Sequence, residues 1–487
     1  MSERYSHYLG GGWETPGETA NFLPNRNPAR LSEVLGEFQN GTSEDATKAI
    51  EAAHKALAGW AALPAPSRGE FLRKAADLLA ARVDHVAKDL MLEEGKSLPE
   101  AKGETMRGVA ILRYYAAQTL LPDGEVIPSA TAGTLFFTRR IPVGVCALIT
   151  PWNFPIAIPL WKAAPALAFG NTVVMKPSEH SPLTAHHLAE VFHEAGLPAG
   201  VFNVLYGEGA RVGETLTTHP AVNALSFTGS AKTGKWLGSQ CSANGKKYQL
   251  EMGGKNAVIV LPDADLEQAV NLTVQGAFKS AGQKCTATSR AIIHEDVYQS
   301  FVNHLVEKVH TLKVGAGDEA DAYLGPVISE AARDNILKAI REAAEAGSTL
   351  LCGGKPLEGA KYDLGAYVPP TVFWDVDPDA KIAKEEVFGP VLCLFRAKSE
   401  EEALEILNSS EYGLSASIFT KSLNSALRFA EKAQVGMVRV NGETAGVEPQ
   451  APFGGMKGSS SYSREQGMAA RDFYTQIKTI AIEAAAE

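Results

Sequence analysis

At 487 residues the chain is too long for one hydrophobic core, so two or three domains are expected. With 45% hydrophobic and 21% charged residues it reads as globular rather than disordered, and a net charge of −10 argues against a non-specific nucleic-acid binder. The five cysteines (Cys146, Cys241, Cys285, Cys352 and Cys393) form no CxxC pair and no Cys/His zinc spacing, so no metal is expected.

The start, Met1-Ser2-Glu3-Arg4-Tyr5, lacks the apolar core of a signal peptide. With an odd cysteine count this points to the reducing cytoplasm. The most apolar region, 143–175, is broken by Pro151, Asn153, Pro155, Pro159, Lys162, Pro165 and Asn171, so no membrane span is expected.

In chain order, residues 1–40 read as short strands and turns. Residues 43–120 read as helices, the first capped at Thr42 to Asp45 with Ala46, Ile50, Ala53 and Leu57 at helical spacing. Two strand-like pieces, 125–128 and 134–141, interrupt the pattern and form a candidate for pairing with another subunit. From 143 the chain alternates strand and helix: strands at 145–149, 172–176, 201–205 and 224–228, helices at 159–167, 181–195, 210–217 and 230–240. Such alternation means a parallel sheet covered by helices, with ligands at the carboxyl ends of the strands. A second alternating block starts with the strand 256–260. It continues with helices at 297–309, 330–345, 401–407 and 423–433 and strands at 349–351, 371–373 and 391–395. The fold class is α/β, and 474–482 closes it as a strand.

Several residues carry candidate chemistry. Cys285, in Gly282-Gln283-Lys284-Cys285-Thr286, follows a helix and a glycine turn, where backbone N–H groups favour a thiolate. Asn153, in a proline-bracketed turn, can donate to an oxyanion, and Glu251, at a strand end beside Gly253 and Gly254, can act as a base. Against these stand plain readings: a buried cysteine, a turn asparagine and a solvated carboxylate. Gly207-Glu208-Gly209-Ala210-Arg211-Val212-Gly213 is one residue longer than a dinucleotide fingerprint. The turn 228–234 offers hydroxyls and helix N–H groups to a phosphate. Glu386 can accept hydrogen bonds from a ribose. His186, His187 and His193 read as solvated positions on a helix.

Taken together, Pro151-Trp152-Asn153-Phe154-Pro155, Phe227-Thr228-Gly229-Ser230, Leu250-Glu251-Met252-Gly253-Gly254-Lys255, Gly282-Gln283-Lys284-Cys285, Glu385-Glu386-Val387-Phe388-Gly389-Pro390 and Pro452-Phe453-Gly454-Gly455-Met456-Lys457 resemble the aldehyde dehydrogenase superfamily. The likeness spans nearly the whole chain. It implies two parallel-sheet α/β domains plus a β oligomerisation hairpin. The NAD(P)-binding domain falls at 1–123 and 143–253, the catalytic domain at 254–453 and the oligomerisation strands at 124–142 and 470–487. It implies oxidation of an aldehyde to an acid, with Cys285 as nucleophile, Asn153 and the Cys285 N–H as oxyanion hole and Glu251 as base. Ile149, Trp152, Lys176, Ser178, Glu179, Gly229, Ser230, Glu386 and Phe388 match cofactor positions. Glu179, where the 2′ group is read, implies NAD with NADP possible. A homodimer or homotetramer is expected.

Within that family, residues 98–105, 111–116, 282–290, 446–452 and 459–467 are similar to α-ketoglutaric semialdehyde (2,5-dioxopentanoate) dehydrogenases. A carboxylated aldehyde implies a cation near the nucleophile. Lys279 matches a position often held by arginine in semialdehyde enzymes, while Trp161 stands where a second arginine would be. Gln450 and Arg290 are further candidates. The alternatives are a succinate, glutarate or broad-specificity aldehyde dehydrogenase, a CoA-acylating relative, and a non-catalytic protein on the same fold.

Overall fold

The computed structural model describes residues 2–483. The first long helix, Ser43–Ala62, begins with a capping box. The Asp45 N–H donates to Thr42 Oγ1 at 3.2 Å, and the Thr42 N–H donates to Asp45 Oδ2 at 2.9 Å. Its stripe of Ala46, Ala49, Ile50 and Ala53 is buried against the first large sheet.

That sheet runs, across its width, Lys247–Glu251, Val222–Thr228, Val145–Ile149, Thr172–Lys176, Phe202–Val204, Tyr8–Leu9 and Gly12–Trp13. The first five strands are parallel. The chain moves from Val145–Ile149 outward in one direction, then returns to build the other side with Val222–Thr228. The gap between those two strands is the topological switch point, where a crevice forms beyond the strand ends. Register aligns Glu251 with Thr228, Phe227 with Ile149, and Ile149 with Lys176, so the residues that follow them emerge along one edge.

The second large sheet runs Thr349–Cys352, Thr371–Trp374, Val391–Ala397, Thr288–His294, Asn256–Val260, Ser415–Phe419 and Met437–Val440, parallel apart from Thr349–Cys352. Three of these strands, Thr288–His294, Ser415–Phe419 and Met437–Val440, have no counterpart in the sequence reading. Residues 252–255 join the carboxyl end of one sheet to the amino end of the other. The two sheets therefore meet end to end at Glu251 and Asn256.

Leu135–Pro142 pairs antiparallel with Thr475–Ile482 along its whole length, and Val126–Ile127 lies on its other side. Leu135, Val126, Ile477 and Ile482 are exposed on this small sheet. Residues 470–474 of the expected terminal strand belong instead to the helix Ala469–Tyr474, and 484–487 lie outside the described residues. Among the described residues no helix is long and apolar enough to cross a membrane.

Two sequence expectations are corrected by packing. His187 is buried, with Nε2 2.8 Å from Asp89 and Nδ1 3.0 Å from Glu190. Burial pulls its pKa down, but the two carboxylates outweigh it and hold the imidazole up to about 9. Arg290 does not reach a substrate. It is buried in the strand Thr288–His294, and its guanidinium donates to the carbonyls of Lys255, Ile406 and Leu407 at 2.9 to 3.0 Å. It clamps the inter-sheet link to the end of the helix Glu400–Asn408. Arg290→Ala strips three carbonyls of their donors at about 1 kcal/mol or more each. We expect a fall of several degrees in the thermal midpoint, with no change in the kcat/KM ratio between carboxylated and neutral aldehydes.

Candidate active site

The helix Leu266–Phe278 ends at Lys279, and the chain then turns left-handed for three residues. Ser280 and Ala281 have φ of 54° and 51°, and Gly282 has φ of 67°. Two non-glycine residues in this region store strain that surrounding contacts must hold. Ser280 Oγ donates to Glu100 Oε1 at 3.0 Å. A Cβ at Gly282 would lie 2.3 Å from the Gly389 carbonyl, so only glycine fits. Gln283 Oε1 accepts the Ile328 N–H at 2.9 Å.

Cys285 follows in the turn leading to Thr288–His294. Its carbonyl accepts Asn256 Nδ2 at 2.7 Å, and the same amide reaches the Ala287 and Ser415 backbones. The Cys285 N–H has no acceptor among the described residues and remains available. Burial, then Glu386, Glu251 and Glu465, push the thiol up to about 12, against the pull of the Thr286 N–H. The resting sulfur is protonated, and a base must act before it attacks.

Asn153 is buried beyond the strand Val145–Ile149. One of its amide hydrogens is given to the Gln283 carbonyl at 2.9 Å, which ties it to the nucleophile turn. The second is free to join the Cys285 N–H at an oxyanion. Lys96 Nζ donates to the Asn153 carbonyl at 2.9 Å and to Glu104 Oε2 at 2.7 Å. Glu104 Oε1 in turn accepts the Ile156 and Ala157 N–H groups, so a buried ion pair shapes the whole turn.

Glu251 is 1% exposed, which removes the solvated reading. Ser460 Oγ donates to its Oε2 at 2.5 Å, while Oε1 is buried without a hydrogen-bond partner beside Gly454. Burial and the Glu465 charge raise its pKa well above the ordinary carboxylate range; Ser460, Lys162 and Arg464 oppose this. Lys162 lies in an otherwise apolar helix and makes a short ion pair with Glu465 and a 2.9 Å bond to Ser226 Oγ. Sequence reasoning missed both Ser460 and this pair. The signals were present: a lysine in an otherwise apolar helix, and a run of three serines at 459–461.

Trp152, Asn153, Thr228, Gly229, Ser230, Cys285, Glu386 and Phe388 line one cavity of about 230 Å³. Trp152 and Phe388 meet edge to face with centroids 5.6 Å apart. Glu386 accepts the Gly254 N–H at 2.9 Å, an approach that a Cβ at Gly253 would block. Burial pushes its pKa up to about 7, against Gly254 and Lys255. Ser230 caps the helix Ala231–Ala243, whose amino end opens beside the cavity. Thr228 Oγ1 is buried without a partner. These donors and acceptors fit a ligand with ribose and phosphate groups.

At the next strand end Lys176 Nζ donates to Glu179 Oε2 at 3.1 Å. Burial raises the Glu179 pKa, but Lys176 outweighs it, so the net shift is downward and the carboxylate stays charged. Ser178 is buried and accepts the His180 N–H, and Ile149 lies in register with Lys176. The Gly207 turn is structural: a Cβ there would lie 2.5 Å from the Gly41 nitrogen.

The remaining candidates separate. Trp161 is buried and packs on Phe453 with centroids 5.1 Å apart. Lys279 is half-buried and makes no hydrogen bond or ion pair among the described residues. Gln450 is exposed, with its amide turned to Glu448.

A thiol, an amide, a strand-end carboxylate and a nucleotide-shaped cleft at the junction of two parallel sheets define a thiol-dependent oxidoreductase. The Aldehyde dehydrogenase family model matches residues 13–480, and the chain belongs to that family of aldehyde-oxidising enzymes. It is 48% identical over 479 residues to the alpha-ketoglutaric semialdehyde dehydrogenase of Bacillus subtilis, covering 98% of each chain. It is 44% identical to the alpha-ketoglutarate semialdehyde dehydrogenase of Haloferax volcanii, covering 99% of each. The crystal structure of Staphylococcus aureus betaine aldehyde dehydrogenase in complex with NAD+ superposes with a TM-score of 0.96 at 35% identity, covering 99% of this chain and 96% of that one.

Glu251 accepts a proton only as its anion, so kcat/KM climbs with pH above the ordinary carboxylate range. Glu465→Gln removes a charge that raises the Glu251 pKa and shifts the ascending limb to lower pH. Ser460→Gly removes a bond that favours the anion and shifts it to higher pH. Measured pH–rate profiles of the two variants should move in opposite directions.

Proposed function

We propose that this enzyme oxidises 2,5-dioxopentanoate (α-ketoglutaric semialdehyde) to 2-oxoglutarate with NAD. The observation that carries the chemistry is that Cys285 and Asn153 share one cavity with Trp152, Gly229, Ser230, Glu386 and Phe388, while the buried Glu251 lies close enough for its charge to act on Cys285. Similarity to the Bacillus subtilis and Haloferax volcanii enzymes supports the substrate, and likeness to an NAD+-bound structure supports the cofactor.

Glu251 takes the proton from the Cys285 thiol, directly or through water. The thiolate adds to the aldehyde carbon, and the new oxyanion is held by the free Asn153 amide hydrogen and the Cys285 N–H. Bound NAD supplies the hydride acceptor and a positive ring that favours the nearby thiolate. Loss of hydride leaves a thioester on Cys285. Glu251 passes that first proton to solvent and, again as the anion, takes a proton from water, which attacks the thioester and expels the Cys285 sulfur as the thiolate with release of the acid. Glu251 supports water rather than CoA as the second nucleophile.

The charged Glu179 at the Lys176 strand end supports NAD over NADP, since a carboxylate accepts a 2′-hydroxyl and repels a 2′-phosphate. Exposed Leu135, Ile477 and Ile482 on the 126–142/475–482 sheet support a homodimer or homotetramer. An unpaired nucleophilic thiol supports a cytoplasmic site of action.

The test is NADH formation with 2,5-dioxopentanoate, succinate semialdehyde, glutarate semialdehyde and simple aliphatic aldehydes. We expect the highest kcat/KM for 2,5-dioxopentanoate, no acceleration by CoA, and no turnover by Cys285→Ala. A simple aliphatic aldehyde as best substrate would overturn the substrate assignment. We expect NAD to exceed NADP in kcat/KM, and Glu179→Gln to narrow that gap.

A further inference from the structure

Arg107 is a half-buried cation near the nucleophile, with its Nε fully buried, that the catalytic groups leave unused. It projects from the helix Leu98–Gln118 at the face where Gly108 packs against Ile156 and Leu160. Its guanidinium carbon lies 5.8 Å from the centre of the Trp161 ring. Trp161 packs on Phe453, and Phe453 precedes Gly454, over which the unpartnered oxygen of Glu251 lies. Arg107 is thus part of the apolar wall beside the base. It is also close enough to Cys285 for the thiolate charge to act on it.

Arg107, Lys279 and Lys284 are the cations around the site that lack a partner among the described residues, and of these only Arg107 carries a planar fork. Lys96 has Glu104, Lys162 has Glu465, and Arg290 has three carbonyls. Arg107 makes no hydrogen bond and no ion pair among the described residues, and its Nε is fully buried. A buried Nε–H without an acceptor is costly, and a ligand anion removes that cost. Its planar fork matches a carboxylate with two parallel hydrogen bonds. The Trp161 ring, 5.8 Å away, supports the guanidinium on one side.

We propose that Arg107 is the carboxylate anchor of the aldehyde channel, receiving the C1 carboxylate of 2,5-dioxopentanoate while the C5 aldehyde faces Cys285. This rests on the reading of the cavity around Cys285 as an aldehyde site. It moves the role of anion anchor from Lys279, whose flexible point charge lacks the fork, to a residue on a different helix. Trp161 then orients the guanidinium and does not bind the anion itself.

The experiment compares wild type, Arg107→Met, Arg107→Lys and Lys279→Met, each as the full chain. For each, kcat/KM is measured with 2,5-dioxopentanoate, succinate semialdehyde and pentanal, together with inhibition by 2-oxoglutarate and the thermal midpoint. We expect Arg107→Met to lower the kcat/KM ratio of 2,5-dioxopentanoate to pentanal about 10- to 100-fold, mainly through KM. Arg107→Lys should recover part of that loss, and 2-oxoglutarate inhibition should weaken in parallel. Because Arg107 supports no protein group, the midpoint of Arg107→Met should hold or rise. An equal fall for all three aldehydes, a lowered midpoint, or a loss of discrimination in Lys279→Met but not in Arg107→Met would overturn the proposal. If wild type prefers succinate semialdehyde, the assigned substrate fails while the anchor stands, provided Arg107→Met loses that preference. A wild type that favours pentanal overturns both.

Discussion

The constraint on which this structure turns is the crowding of negative charge around one sulfur. Glu251, Glu386 and Glu465 all act on Cys285 in a largely buried space, where burial holds the pKa of Glu386 up and burial with the Glu465 charge does the same for Glu251. A thiolate added to that group would be unfavourable without compensation. The chain provides it in fixed pieces: Lys162 beside Glu465, Lys255 beside Glu386, and N–H donors from Gly254 and Thr286. The result is a site in which the sulfur rests as the thiol and burial makes Glu251 a stronger base than an ordinary carboxylate.

That arrangement needs two sheets meeting end to end. Glu251 ends a strand of the first sheet, and Asn256 begins a strand of the second, with only residues 252–255 between them. Asn256 then pins the Cys285 carbonyl, so base and nucleophile hang from opposite ends of one short connection. Ser459 and Ser461 close the third side, through the Met252 N–H to the Ser459 carbonyl and the Leu250 N–H to Ser461 Oγ.

Much of the first sheet was legible because its strands are short apolar runs between turns, as at 145–149 and 172–176. Thr288–His294 was not, since it opens with Thr288, Ser289 and Arg290, and the charge at Arg290 is neutralised by carbonyls distant in sequence. Cys285, Asn153 and Glu251 were individually ambiguous and became readable only as a set. Arg107 and His187 escaped because their meaning depends on what a second helix brings alongside: Trp161 for one, Asp89 for the other. No local spacing encodes such a pairing.

The nucleophile and the base are held to different degrees, and the difference follows from their work. Cys285 is fixed by a strained turn, an invading glycine at 282 and the Asn256 amide, because its sulfur must stay in one place through addition and release. Glu251 has a single hydrogen bond, from Ser460, and one free oxygen. In the mechanism proposed above it takes a proton first from sulfur and later from water, which stand at different points around the same carbon. A carboxylate locked by two or three donors would serve one of those positions and miss the other. Its pKa would also fall with each donor, weakening it as a base. One serine on one oxygen keeps the group oriented, leaves the other oxygen to act, and lets burial keep it basic.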